Sequence, residues 1–268
     1  MGFVSLPVSL FLYWLMLRPK REDPFPKGGL IRLLLAGAVS VALSVILNLP
    51  FSGIVSVFRL GVLSDPGKWL SAIRNDPASF QEMFQNAVAN TKPTFLWELL
   101  SMFFTAGLLE EGLKFLTCRV AIRKEGMIRT RMDAVVAFSI VGITFEFLEN
   151  LVFGMNSDFL SALVRTLGAA HYVFGVIMGW FYGKYLMSGR KKDLWLSFAV
   201  PVIYHTVTNA LMASMELSKV LNVLGTISGI SHMVATVVTV IIVILWQKNR
   251  TLDDPVLQKQ KESKGKET

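Results

Sequence analysis

The sequence predicts an all-α fold, a polytopic transmembrane helical bundle of about seven to eight spans. Three observations carry that expectation. Of 268 residues, 53% are hydrophobic and only 17% charged, with a mean hydropathy of +0.51, which lies outside the range of ordinary soluble domains. The apolar residues gather into long runs, and a helix needs roughly 20 of them to cross the hydrocarbon. Lys and Arg are divided unequally between alternate connections, as the topology of a membrane protein requires.

Candidate helices lie near 1–17, 31–58, 95–118, 133–155, 161–187, 194–215 and 221–246. The first lacks a basic leader, and no small-residue cleavage site precedes Arg18-Pro19-Lys20-Arg21, so it is expected to be a retained helix, short for a span. The second is overlong. Pro50, in Asn48-Leu49-Pro50, removes a backbone donor, so a kink or a break with a short return segment is expected there. The connection from Arg59 to Pro93 is the one long loop. Asp76-Pro77 can cap and start a helix, and Ser79 with Glu82 has capping-box spacing, predicting a short amphipathic helix over roughly 77–90. Such a helix is either a connector lying on the membrane or an interfacial lid. On the fifth run Gly175, Gly179 and Gly183 form a small-residue face for close helix packing.

The expected organisation is one membrane-embedded domain over 1–246, with a motif-bearing core at about 95–215, and a basic cytoplasmic tail over 247–268. The tail is Lys-rich and poor in apolar residues, so it should be disordered and meet anionic lipid of the bilayer. One set of connections holds 20 of the 27 Lys and Arg residues; the opposite set holds Arg59, Lys68, Arg74, Lys92, Arg165 and Lys219. The positive-inside rule then puts the N-terminus outside the cell membrane and the C-terminus in the cytoplasm. The net charge of +8 is spent on orientation, and no nucleic-acid partner is expected. A lone Cys118 excludes an intrachain disulfide and any cysteine-built metal site.

The informative residues are ionisable ones inside apolar runs: Glu110, Glu111 and Lys114 on the third, Glu146 and Glu149 on the fourth, His171 on the fifth and His205 on the sixth. A charge near mid-bilayer costs roughly 2.5–3.5 kcal/mol on insertion scales, so these groups must be paired, neutralised or hydrated. Lys114 follows Glu110 by four residues and Glu111 by three, within reach of either carboxylate. The two Glu side chains diverge by about 100° yet can share a cavity. An ion pair that merely joins helices is the plain alternative. Glu146, Glu149 and Asn150 make a polar stripe on one face, where the alternative is interhelical hydrogen bonding. At 1.5 Å per residue, Glu110, Glu149, His171 and His205 fall roughly 12–24 Å from their cytoplasmic helix ends and can meet in one layer. Asn209, one turn after His205, can donate to a developing oxyanion. His232 has no polar neighbour on its helix and is expected to be structural.

Paired carboxylates, two histidines and an amide in a membrane cavity suit water activation and attack on a peptide carbonyl. No Gly-x-Ser-x-Gly elbow supports a serine route. Glu149, His171 and His205 could alternatively hold a catalytic zinc, His₂Glu being a known ligand set. The ordered motifs Glu110-Glu111-x-x-Lys114, Phe145-x-x-x-Glu149-Asn150, His171-x-x-x-Gly175 and His205-x-x-x-Asn209 resemble the PrsW family of intramembrane proteases, relatives of the type II CAAX prenyl endopeptidases and bacteriocin-processing enzymes. The resemblance implies a core of about eight helices and cleavage of membrane-anchored protein substrates, often to release anti-sigma factors. It assigns the paired-Glu site to Glu110 and Glu111, the second-motif acid to Glu149, and the remaining polar positions to His171, His205 and Asn209. Glu146 has no matching position. The prenyl endopeptidases carry Arg and His where this chain has Lys114 and Glu149, which argues against prenylated substrates. Both metalloprotease and metal-free glutamate mechanisms are known under this resemblance. A proton-coupled transporter is the competing class, since buried Glu, His and Lys also relay protons; a non-catalytic membrane scaffold is a third.

Overall fold

Hydrocarbon offers no partner to a backbone N–H or C=O, so apolar runs satisfy their own hydrogen bonds as helices. The computed structural model describes residues 2–153 and 158–256. Its helices are α1 (Leu6–Leu17), α2 (Gly29–Arg59), α3 (Pro66–Asn75), α4 (Pro77–Asn90), α5 (Phe95–Met102), α6 (Leu109–Ala121), α7 (Arg131–Phe153), α8 (Phe159–Gly168), α9 (Ala170–Ser188), α10 (Lys191–Ala213) and α11 (Lys219–Asn249). Among the described residues there are five stretches long and apolar enough to cross a membrane: α2, α7, α8 with α9, α10 and α11. The all-α bundle is therefore as expected. Of the other two expected spans, α1 has only 12 helical residues, and the stretch over 95–121 carries several charges.

The helix α7 forms the centre. In its apolar window 72% of residues are buried, against 28% in α2 and 22% in α11, whose outer faces are exposed. Along α9, Gly175 and Gly179 allow the approach to α7: a Cβ on Gly175 would sit 2.6 Å from the Phe138 carbonyl oxygen, and one on Gly179 would sit 2.5 Å from Val135 Cα. The small-residue face thus packs as the spacing predicts.

Four local departures shape the molecule. Pro50 does not break its helix, since α2 runs continuously from Gly29 to Arg59 with no return segment. One missing ladder bond is a local loss that the flanking turns absorb. The expected run over 161–187 is instead split into α8 and α9 at Ala169, whose φ of 21° is left-handed. The Gly168 carbonyl exposed by the split accepts from Thr236 Oγ1 of α11 at 2.7 Å. The expected run over 95–118 divides into α5, a π-helical stretch Phe103–Leu108 and α6. The tail is not disordered over 247–256: Leu252 and Val256 are buried, Gln247 Nε2 donates to the Leu15 carbonyl at 2.9 Å, and Val256 N–H donates to the Arg129 carbonyl at 2.8 Å. A few apolar residues suffice because they dock into the loop before α7. The rest of the expected tail, 257–268, and the end of the expected 133–155 run, 154–155, lie outside the described residues.

The long loop contains α4 over Pro77–Asn90, as predicted, and also α3. Capping comes from Asp76, whose carboxylate accepts the Ser79 N–H at 3.1 Å. The Trp69 and Phe80 rings meet edge to face at 6.1 Å and join the two helices.

Candidate active site

The polar layer begins on α6. The π-helical turn preceding it adds a wide step to the helix, a feature that recurs at functional sites. Within that turn Gly107 packs against α10: a Cβ there would collide with Thr206 Oγ1 and lie 2.8 Å from the Val202 carbonyl oxygen. This close approach brings the Glu pair beside His205. Glu111 is fully buried, while the Glu110 side chain is 15% exposed.

Glu111 Oε1 gathers two partners, Lys114 Nζ and His205 Nδ1, each at 2.7 Å. Lys114 Nζ also meets His171 Nδ1, and lies 4.0 Å from the centre of the Phe145 ring. With Lys114 as an ammonium, which only donates, His171 Nδ1 accepts and its proton sits on Nε2. A carboxylate only accepts, so neutral His205 donates from Nδ1 and keeps an open lone pair on Nε2. The two imidazole rings lie 5.1 Å apart.

The opposite wall comes from α7. His171 Nε2 lies 2.9 Å from Glu149 Oε2, and the His171 main-chain N–H donates to Glu146 Oε2 at 2.8 Å. That N–H belongs to the first turn of α9, where helical donors have no partner within the helix. Asn150 Nδ2 donates to Glu146 Oε1 at 3.2 Å. Arg165 closes the wall from α8, with Nη2 2.7 Å from Glu149 Oε2 and Nε donating to Asn150 Oδ1 at 2.7 Å.

Donor chemistry fits a divalent cation. One ligand atom from each of Glu110, Glu111, His171 and His205 lies within 4.8 Å of the others, and carboxylates with imidazoles suit zinc. Among the described residues Glu110 Oε2 and Glu111 Oε2 are buried with no hydrogen-bond partner, which is costly for a carboxylate that binds nothing. Among the described residues, two Lys or Arg side chains, Lys114 and Arg165, pair with the four carboxylates Glu110, Glu111, Glu146 and Glu149. Full ionisation would leave two negative charges for such an ion to balance. Lys114 holds Glu111 Oε1 and His171 Nδ1, so it binds two of the residues of that set and stands as a competitor for them.

Most residues singled out in the sequence converge here. The grouping nevertheless differs from the expected zinc ligands Glu149, His171 and His205: the close donor set contains Glu110 and Glu111, with Glu149 behind His171. Asn209 is half-buried on α10 and makes no hydrogen bond to the cluster among the described residues. His232 packs against the Tyr204 ring at 5.5 Å, with its Nε2 buried and unpartnered. Arg165 was missed as a site residue. Its signal was a lone cation in an apolar run six residues before His171. An apolar cavity of about 490 Å³ lies between α6 and α10, lined by residues including Leu109, Leu113, Leu116 and Phe198. It follows the other face of α6, and neither Glu110 nor Glu111 lines it.

Apolar helices around a buried Glu/His cluster define an integral membrane protein with an interior polar site. Residues 26–246 match the family described as PrsW family intramembrane metalloprotease, and the chain belongs to that family. It is 32% identical over 119 residues to Protease PrsW of Bacillus subtilis (strain 168), covering 42% of this chain and 55% of that protein. Against Protease PrsW of Geobacillus kaustophilus (strain HTA426) it is 30% identical over 118 residues, covering 42% and 52%. Against that of Clostridioides difficile (strain 630) it is 27% identical over 120 residues, covering 41% and 50%. The chain thus spans about half the length of the curated relatives it matches. No solved structure matches it.

Proposed function

We propose that this protein is an intramembrane endopeptidase hydrolysing peptide bonds of membrane-anchored protein substrates with water activated by its own Glu and His residues. The convergence of Glu110, Glu111, His171 and His205 from three helices on one buried point carries this proposal. Peptide hydrolysis needs a base for water, a donor to the oxyanion and an acid for the leaving amine. Glu110 is suited to the first role, because its Oε2 is buried and unpartnered. As the carboxylate takes the proton, the water oxygen bonds to the carbonyl carbon and the C=O electron pair moves onto oxygen. Collapse of that adduct breaks the C–N bond, and the Glu110 acid returns its proton to the departing nitrogen. Glu111, engaged by Lys114 and His205, holds the geometry. The His205 Nε2 lone pair orients the water, and Asn209, one turn further along α10, offers an amide to the oxyanion. Zinc held by Glu110, Glu111, His171 and His205 would supply Lewis-acid polarisation of the carbonyl; a metal-free glutamate mechanism would use the same side chains.

The charge partition supports a cell-membrane protein with its N-terminus outside and its C-terminus cytoplasmic. The family supports membrane-anchored proteins of the anti-sigma-factor kind as substrates. The test is cleavage of membrane-anchored peptides by the purified protein in proteoliposomes, with and without a chelator. Glu110→Gln and His205→Ala should each lower cleavage by at least about 100-fold with thermal unfolding unchanged. Normal cleavage by Glu110→Gln would remove the glutamate base. Loss on chelation with recovery on zinc would assign the metal form. Proton-driven solute uptake without cleavage would select the carrier class.

A further inference from the structure

Arg165 belongs to none of the motifs that carry the family resemblance, yet it binds one of the two acids that hold His171, Glu149, directly and reaches the other, Glu146, through Asn150. We propose that Arg165 is a positioning residue that sets the ring and the main chain of His171 through two arms meeting on that one residue. The first runs from Arg165 Nη2 to Glu149 Oε2 (2.7 Å) and from there to His171 Nε2 (2.9 Å). The second runs from Arg165 Nε to Asn150 Oδ1 (2.7 Å), from Asn150 Nδ2 to Glu146 Oε1 (3.2 Å), and from Glu146 Oε2 to the His171 N–H (2.8 Å).

Every link has one permitted polarity. Guanidinium only donates and carboxylate only accepts, so the Asn150 amide must present its oxygen to Arg165 and its nitrogen to Glu146. The arms also bridge a discontinuity. Arg165 lies on α8, His171 begins α9, and Ala169 between them is left-handed. By binding two α7 residues from the far side of that break, Arg165 ties α8 to the helix that holds His171. Its side chain is 41% exposed, whereas Glu149 is 14% exposed, so shortening it removes the clamp without opening a core cavity. Lysine can supply the charge but not the fork that reaches both partners.

This inference rests on the proteolytic proposal for its kinetic arm only. In proteoliposomes Arg165→Gln should lower kcat for a membrane-anchored peptide by about 100-fold while KM stays within about twofold, and Arg165→Lys should recover part of the loss. The second arm needs no activity: acylation of His171 and His205 by diethyl pyrocarbonate, followed on their separate tryptic peptides. His171, released from Glu149, should react several-fold faster in Arg165→Gln, with His205 unchanged as the internal reference. Equal His171 reactivity in wild type and Arg165→Gln overturns the positioning role, as does a parallel rise at both histidines, which would report general loosening. A wild-type protein that cleaves nothing defeats the proteolytic proposal alone and leaves the acylation comparison to decide this one.

Discussion

At the scale of single residues, the decisive side chain is Lys114. It is buried, holds Glu111 Oε1 and His171 Nδ1, and has the Phe145 ring beneath it. Those two atoms belong to residues of the close donor set, so the ammonium and a divalent ion would draw on the same two side chains. Hydrogen bonds to charged groups are worth about 1.5–3 kcal/mol, and each 1.4 kcal/mol is tenfold in affinity. Lys114→Met keeps much of the volume and removes the donors, so zinc affinity, measured against a chromogenic chelator, should rise by about tenfold or more. Unchanged or weaker affinity would mean that Lys114 supports the donors rather than competing for them. The members of this cluster were legible because an ionisable residue in an apolar run is costly and therefore conspicuous. Their pairing was not. Lys114 and His171 are 57 positions apart, and no local spacing encodes that contact. Arg165 was hidden for a related reason: counting charges by connection reads sign, while its role depends on the Glu149 and Asn150 it faces.

At the scale of elements, glycines decide how closely the helices bearing the site approach. Gly142 of α7 lies against the His171 main chain, where an added Cβ would collide with the carbonyl oxygen and sit 3.0 Å from the carbonyl carbon. Backbone cannot swing aside as a side-chain tip can. Gly142→Ala should therefore displace the start of α9, lowering cleavage by about 100-fold and stability by about 1–3 kcal/mol. Gly53→Ala in α2 is the control, since nothing lies within 4 Å of its Cβ position; it should leave cleavage and thermal unfolding unchanged. Equal behaviour of the two variants would show that the α7–α9 approach does not set the site. The triple spacing of Gly175, Gly179 and Gly183 made this interface legible, but solitary Gly142 offered no pattern. The helix boundaries show the same division between local and tertiary causes. Pro50 gave a local signal for a kink or a break, and continuous helix overrode the break. Ala169 gave none, and its break is supported by a hydrogen bond from Thr236 on a distant helix.

At the scale of the whole molecule, the charge partition makes the orientation testable with a chemistry the chain already favours. Its lone cysteine, Cys118, is fully buried, so the wild-type protein should be silent to a membrane-impermeant maleimide and serves as its own background. Gln85 on α4 and Glu125 in the loop between α6 and α7 are both exposed. They belong to opposite connection sets, the first to the Lys- and Arg-poor set and the second to the rich one. In intact cells Gln85→Cys should label at once, while Glu125→Cys should label only after the membrane is opened. The reverse pattern would invert the molecule and place the long loop with α3 and α4 in the cytoplasm. Labelling of both in intact cells would mean that the chain crosses the membrane an even number of times between residues 85 and 125, and that the charged stretch over 95–121 does not span. That stretch is the one carrying Glu110 and Glu111, and its charges exclude it from the spans defined by apolarity alone. A crossing there would be stabilised by the partners of Glu110 and Glu111, which are Lys114, His171 and His205, rather than by hydropathy. Orientation and site are therefore one question here, since the same internal pairing that assembles the polar layer would let its helix cross the bilayer.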